Sequence, residues 1–437
     1  MKLITLLILL LCCPVLIFAQ NNRLIVTTDI GGTDPDDEQS MVHLLMMSND
    51  IDIEGIICQM AFVKSSIGID VLHRIIDAYE QVQPNLIKHD SNYPSVNYLR
   101  SIAATGQMTV GFAGVGEGKD TPGSELIIRA VDKDDVRPIW LTAWGGMNTI
   151  AQALWNVKST RSKHEVAKFV SKIRIYDVLG QCDAGAWIAK TFPEILYIRN
   201  VDIYGWTPSD NWFKSHVQNV GPMGKVFPNR IWATEGDTPA FLYVANNGIN
   251  LPDSISAGNW GGRFDWKKTT NARGMDWVKK NNLDESVYDD YHMHINTSEK
   301  GESISRWKNE ISNDFEARMQ WSVSHEYFEA NHHPMIRINK ESEASRKPIY
   351  MTLKRGKTVS IDASKSTDPD GDTLSWKWYV LTEASTSECQ IDTSYASKSR
   401  ITIPKDAHSG IIHLIIECKD NGVPALTSYR RIIINIK

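Results

Sequence analysis

The chain has 437 residues, a formal net charge of -5 and no basic stripe, so nucleic acid is not the expected partner. Its six cysteines are too few for a disulfide scaffold, and no CxxC or clustered Cys/His spacing indicates zinc. The length leaves room for two domains.

Lys2 precedes an apolar stretch from Leu3 to Phe18, and Ala19-Gln20 offers a cleavage point. Residues 1–19 therefore read as a secretory signal peptide, which makes the mature protein exported (periplasmic or extracellular). A membrane anchor is the alternative, for which the span is short. Neither Cys12 nor Cys13 follows the small residue that a lipoprotein signal places before its cysteine. No later segment is apolar enough to span a membrane.

Leu24 to Thr28 reads as a strand and Glu38 to Ser48 as a helix. Between them runs Asp29-Ile30-Gly31-Gly32-Thr33-Asp34-Pro35-Asp36-Asp37, with four carboxylates in nine residues. Like charges this close repel, and holding them ionised calls for a cation or a shared proton. Oxygen ligands at varied reach suit calcium, which takes many of them in flexible geometry. The carboxyl end of a first strand is also where open α/β sheets place their sites. The other reading is a solvated acidic turn at a helix N-terminus. Asp34, just before Pro35, reads as a turn residue.

Further strands are expected over Ile51 to Cys58, Pro138 to Thr142 and Ile173 to Val178. Helices are expected over Gly68 to Gln81, Met147 to Trp155 and Ala184 to Thr191. Strands alternating with helices imply parallel pairing with both sheet faces covered. The expected fold class is α/β: a doubly wound, mostly parallel sheet over residues 20–335. Trp144, Trp206, Trp212, Trp260 and Trp266 lie in its Gly-, Pro- or Asn-rich loops. Trp206 and Trp260 are the preferred platforms for stacking on a sugar, with core packing as the alternative. Arg263 would pair with a carboxylate near the site or form a structural ion pair.

Glu341 to Lys347 is polar and reads as a linker. Short alternating strands follow at Thr358 to Ile361, Leu374 to Val380, Arg400 to Ile403, Ile411 to Glu417 and Arg430 to Ile436. With their turn signals they indicate a small all-β sandwich over residues 336–437. This stretch resembles Ig-like domains of the polycystic-kidney-disease and cadherin-like type, through Ile361 to Asp372 and Trp376-Lys377-Trp378. Trp376 and Trp378 share one strand face, either as core or as an exposed sugar-binding strip. Asp368, Asp370 and Asp372 read as a plain turn. Cys389 and Cys418 could pair in an oxidising compartment, and the oligomeric state stays open.

Asp29 followed by Asp36-Asp37 resembles the N-terminal calcium signature of the inosine-uridine-preferring nucleoside hydrolases, with a longer loop. Trp144 to Ala151 stands where that family has a Gly-Pro-Leu-Thr-Asn-like turn, which makes the Asn148 carbonyl a calcium ligand by resemblance. Glu235-Gly236-Asp237 resembles the family's late His-Asp motif. Asp237 would take the ligand role, and Gly236 replaces the histidine that assists the leaving group. Asp183 to Trp187 partly resembles the family's Asp-Pro-Glu-Ala-Ala helix start, which makes Asp183 a substrate-binding candidate, but the Glu-Phe-Asn ribose-binding segment is absent. Gly258 to Phe264 and Arg306 to Met319 resemble an exported subgroup, some members of which are described as cellulose-binding and carry a C-terminal β-domain.

The resemblance implies an exported calcium-dependent hydrolase of an N-glycosidic or related sugar bond, with Asp29 as general base. The alternative for Asp29 is a metal ligand only. The alternative for the whole protein is a non-catalytic carbohydrate-binding role. Either reading calls for a small sugar or nucleoside-like ligand, or a polysaccharide.

Overall fold

A computed structural model describes residues 21–60, 66–269 and 291–437. The leader read over residues 1–19 lies outside them. Among the described residues no helix is long and apolar enough to cross a membrane.

The first strand, β1 (Arg23–Thr28), is buried at all six positions, as a central parallel strand must be when helices cover both faces. The elements α1 (Asp36–Met46), β2 (Asp52–Cys58), α2 (Ile69–His89), α3 (Val96–Ser101), β3 (Ala103–Thr105) and α4 (Pro122–Asp132) follow. Next come β4 (Ile139–Ala143), α5 (Asn148–Thr160), α6 (Lys163–Ser171), β5 (Ile173–Val178), α7 (Ala184–Thr191) and β6 (Leu196–Asn200). The sheet closes with β7 (Phe264–Thr269) and β8 (Tyr291–Asn296). Its order is β3-β2-β1-β4-β5-β6-β8-β7, parallel except where β7 runs antiparallel to β8.

β2 and β3 lie on one side of β1, and β4 to β6 on the other. The winding therefore reverses between β1 and β4, and a crevice opens at their carboxyl ends. The loop after β1 and the turn after β4 border it. The helix expected over Gly68 to Gln81 continues through Pro84 to His89. Buried Val82 and Leu86 prolong its apolar face, and that packing outweighs the hydrogen bond lost at proline.

The sandwich comprises β9 (Ile349–Leu353), β10 (Thr358–Asp362), β11 (Ser375–Val380), β12 (Gln390–Ile391), β13 (Lys398–Thr402), β14 (Gly410–Lys419) and β15 (Thr427–Ile436). One sheet has the order β10-β13-β12 and the other β11-β14-β15-β9. Trp378 is buried in the core between them and donates its indole N–H to the Ala396 carbonyl at 2.7 Å. Trp376 packs partly buried against the same core. The pair is core, not an exposed strip. Asp368 Oδ1 accepts the N–H groups of Asp370 and Asp372 at 2.9 and 3.1 Å, which closes a plain turn. The pairing open to Cys389 and Cys418 is not formed: both are free thiols. Cys418 is fully buried in the sandwich core, opposite Trp376 on β11.

The two layers pack closely. Tyr429 of β15 belongs to the apolar core under the α/β sheet and meets Trp307 edge-on. Buried Arg431 donates to the carbonyls of Ala257 and Gly258 at 3.1 and 2.8 Å. The stretch expected to be a linker is pinned at both ends. Glu341 pairs with Arg430, and Arg346 with Asp50 at 2.6 Å.

Candidate functional site

The site forms where β1 ends. Thr28 Oγ1 donates to Asp37 Oδ1 and accepts the Ile30 N–H at 3.0 Å, so the loop turns sharply into α1. Asp36 and Asp37 open that helix, where the aligned peptide dipoles favour negative charge. Asp237 caps the short helix Thr238–Leu242 from the far side. Carboxylate oxygens of Asp36, Asp37 and Asp237 all lie within 4.8 Å of one another. Asp37 and Asp237 are buried, as is Asp29.

Burial drives the Asp237 carboxyl well above the usual carboxylate range, and Asp37, Asp36, Asp29 and Asp34 push it further. Burial likewise raises Asp36, followed by the charges of Asp37 and Asp34. The strongest charged neighbours of both acids are themselves acidic. Such a donor set suits a hard cation taking oxygen ligands. Calcium fits it, with Asp36, Asp37 and Asp237 as the residues that would hold it.

Two glycines shape the cradle. A Cβ on Gly145, in the turn after β4, would stand 1.9 Å from Asp29 Oδ1, so that carboxylate lies directly on the backbone. A Cβ on Gly236 would stand 2.3 Å from Asp36 Oδ2. The volume that a histidine would need at 236 is therefore filled by Asp36.

The segment carrying Asp237 is tied to α1 by contacts that the sequence did not reveal. Gln39 Oε1 accepts the Glu235 N–H at 2.9 Å, and Gln39 Nε2 donates to the Pro228 carbonyl at 2.9 Å. Ser40 and Thr238 hydroxyls meet at 3.0 Å. Buried His43 contacts Glu235 Oε1 through Nδ1 at 2.6 Å and stacks on Phe315 with ring centroids 3.8 Å apart. Glu235 itself takes the left-handed conformation at φ 48°. Gln39, Ser40 and His43 share one face of α1 by helical spacing, which is the signal that marks them in hindsight. Asp34 does more than turn the chain. Its carboxylate accepts the N–H groups of Trp232 and Ala233 at 3.4 and 3.2 Å, and burial raises its carboxyl despite those bonds.

The remaining expected site residues make the following contacts. Asn148 opens α5, in the turn that follows β4. Its amide braces the Met60 and Thr109 carbonyls at 3.2 and 3.4 Å. Asp183 stands at the start of α7 and accepts the Phe112 N–H at 2.8 Å. Trp206 and Trp260 cannot serve as stacking platforms: they are 1% and 2% exposed and sit in the apolar core. Long-range packing buries these loop residues, with Tyr429 of the sandwich standing edge-on to Trp260. Arg263 is not at the carboxylate cluster either. It pairs with Glu299 at 3.0 Å and donates to the Glu383 carbonyl at 2.6 Å, which ties the sheet's edge hairpin to the sandwich.

A doubly wound parallel sheet with carboxylates at its switch point, followed by a sandwich, defines a nucleoside-hydrolase-like protein with an appended β-layer. The family model described as "Cellulose-binding Sde182, nucleoside hydrolase-like domain" matches residues 23–264. That described as "Cellulose-binding protein Sde0182, C-terminal domain" matches residues 358–436. The chain belongs to this Sde182 nucleoside-hydrolase-like family. A solved structure, described as a nucleoside hydrolase-related hypothetical protein from Saccharophagus degradans that is associated with carbohydrate metabolism, is similar at 46% identity and TM-score 0.91. The match covers 96% of this chain and 100% of that one. No curated protein matches.

Proposed function

We propose that the protein is an exported, calcium-dependent hydrolase of an N-glycosidic or related sugar bond. The observation that carries this reading is the convergence of Asp36, Asp37 and Asp237 within 4.8 Å at the switch point, where burial and the neighbouring acids raise Asp237. A buried set of acids held this way is costly unless a cation joins it. When bound there, calcium would orient sugar hydroxyls and make an attacking water more acidic.

The chain's own residues divide the remaining work. Asp29, packed against Gly145 beside the cluster, takes the water's proton as general base. Asp34 holds the backbone at Trp232 and Ala233, and so fixes one wall of the cleft. Gly236 offers no proton donor to the leaving group. The sugar passes through an oxocarbenium-like state, as in other glycoside hydrolysis. Gly236 and the cellulose-binding description of the family also support a second reading, in which the same cleft binds carbohydrate without cleaving it.

The test is a hydrolysis screen on nucleosides and plant-type glycosides with and without calcium. Calcium-supported turnover should fall by about 10²–10⁴-fold in Asp29→Asn, with calcium affinity retained. Unchanged turnover in that variant refutes the base role. No turnover at all, with the protein still retained on insoluble cellulose, favours the binding reading.

A further inference from the structure

The sandwich offers no aromatic strip to a polysaccharide, since Trp378 is buried and Trp376 packs on the same core. Its exposed Tyr350 and Tyr395 stand on separate segments. The mouth of the carboxylate cleft is different. Trp232 is 71% exposed and its neighbour Ile231 61%. Tyr204, in the loop after β6, is 47% exposed. The two loops approach each other closely, since a Cβ on Gly236 would lie 3.4 Å from Ile203 Cδ1. Three large apolar side chains thus project into solvent from the two loops that border the acid cluster.

This exposure is not slack in a mobile tip. The backbone N–H groups of Trp232 and Ala233 are both held by the Asp34 carboxylate, and Ala233 is buried. Pro228, on the near side of the loop, receives the Gln39 amide. An exposed aromatic on an anchored backbone beside a cluster of acids is a candidate binding surface, because its apolar area faces water until a ligand covers it. A tryptophan ring also loses little conformational entropy when it is covered.

The chemistry selects the occupant. A ring of the pyranose type presents C–H groups on its faces and hydroxyls around its edge. The faces suit an indole ring, and the hydroxyls suit carboxylates and a cation they hold. A β-linked glucan chain, with its ring faces aligned along one flat ribbon, meets both requirements at once. We propose that Trp232, with Ile231 and Tyr204, forms the ledge that holds a β-glucan chain, and that the protein contacts polysaccharide through its α/β layer beside the carboxylate cleft and not through the sandwich. This rests on the reading that the cleft serves carbohydrate, with the glucan in keeping with the family's cellulose-binding description, and what it adds is where on the chain that glucan is held.

The experiment uses the full mature protein. Retention on microcrystalline cellulose and titration with cellohexaose are measured for wild type, Trp232→Ala and Tyr395→Ala, with calcium affinity and melting temperature recorded alongside. Trp232→Ala should bind about tenfold more weakly in both assays, with calcium affinity and melting temperature unchanged. Tyr395→Ala, on the sandwich surface, should bind as wild type does. Wild-type retention by Trp232→Ala, or loss of binding in Tyr395→Ala, overturns the proposal. So does a wild-type protein that ignores both glucans. In that case intact calcium binding would leave the metal reading standing, and the two failures stay distinct.

Discussion

At the amino ends of the strands, Asp50 and Asp314 meet Arg318 and Arg346. At the carboxyl ends, Asp36, Asp37 and Asp237 meet one another. Both clusters are largely buried, and both would be costly in isolation. In the first, burial alone would raise Asp50, but Arg346 and Arg318 hold it below the usual carboxylate range. Asp314 is likewise pulled down against its burial by Arg318 and His333. In the second, burial and the neighbouring charges act in the same direction, upward. One cluster is complete within the chain and joins the two layers. In the other, acids raise one another, and the proposed cation would relieve them.

The sharpest contrast comes from removing the cation of the complete cluster. Arg318 reaches Asp314 at 2.7 Å and Asp50 at 2.6 Å and is almost fully buried. Arg318→Met should cost up to about 3–5 kcal/mol, because it leaves buried Asp314 with His333 alone and Asp50 with Arg346 alone. Urea denaturation checks this, and a loss below about 1 kcal/mol would mean that Arg346 and His333 suffice to balance the two carboxylates.

Much of this arrangement was legible in the sequence, and some of it was not. The acid loop announced itself because its residues are adjacent in the chain and follow an apolar strand. Asp237 came only through the family resemblance, since nothing local distinguishes it from a helix cap. The loop tryptophans misled because exposure is a long-range property. Trp260 is covered partly by Tyr429, which lies on the last strand of the sandwich. Trp232 went unnoticed for the same reason in reverse. Of the two readings of Arg263, the structural ion pair is the one seen, because its partners, Glu299 and Glu383, come from distant segments that local sequence does not reveal. The edge strand β7 and its neighbour β8 were missed because such short strands carry little periodic signal.

A smaller effect is expected at the joint between the layers. There His89 meets His332 at 2.9 Å, and His332 meets Asp370 of the sandwich at 3.0 Å. Burial, then the neighbouring His332, pushes His89 down to about 4. Burial, then Arg431, pushes His413 down to about 4. Both folded values lie below the ordinary 6.5, so the unfolded chain binds these protons more readily. Stability should be full above pH 6.5 and fall as pH drops toward 4. Melting temperature against pH should show this decline, and His89→Gln should make it shallower, leaving the part that His413 contributes. An unchanged slope in that variant would place the titrating group elsewhere.

The most direct test of the central claim is the melting of wild type and Asp237→Asn as calcium is added. Without calcium, Asp237→Asn should be as stable as wild type or more so, by about 0.5–2 kcal/mol, because it relieves repulsion among buried acids. Calcium at about a hundred times its dissociation constant should stabilise wild type by about 2.7 kcal/mol and leave the variant nearly unmoved. A wild-type protein indifferent to calcium, or a variant that loses stability in its absence, would contradict the view that these acids await a cation.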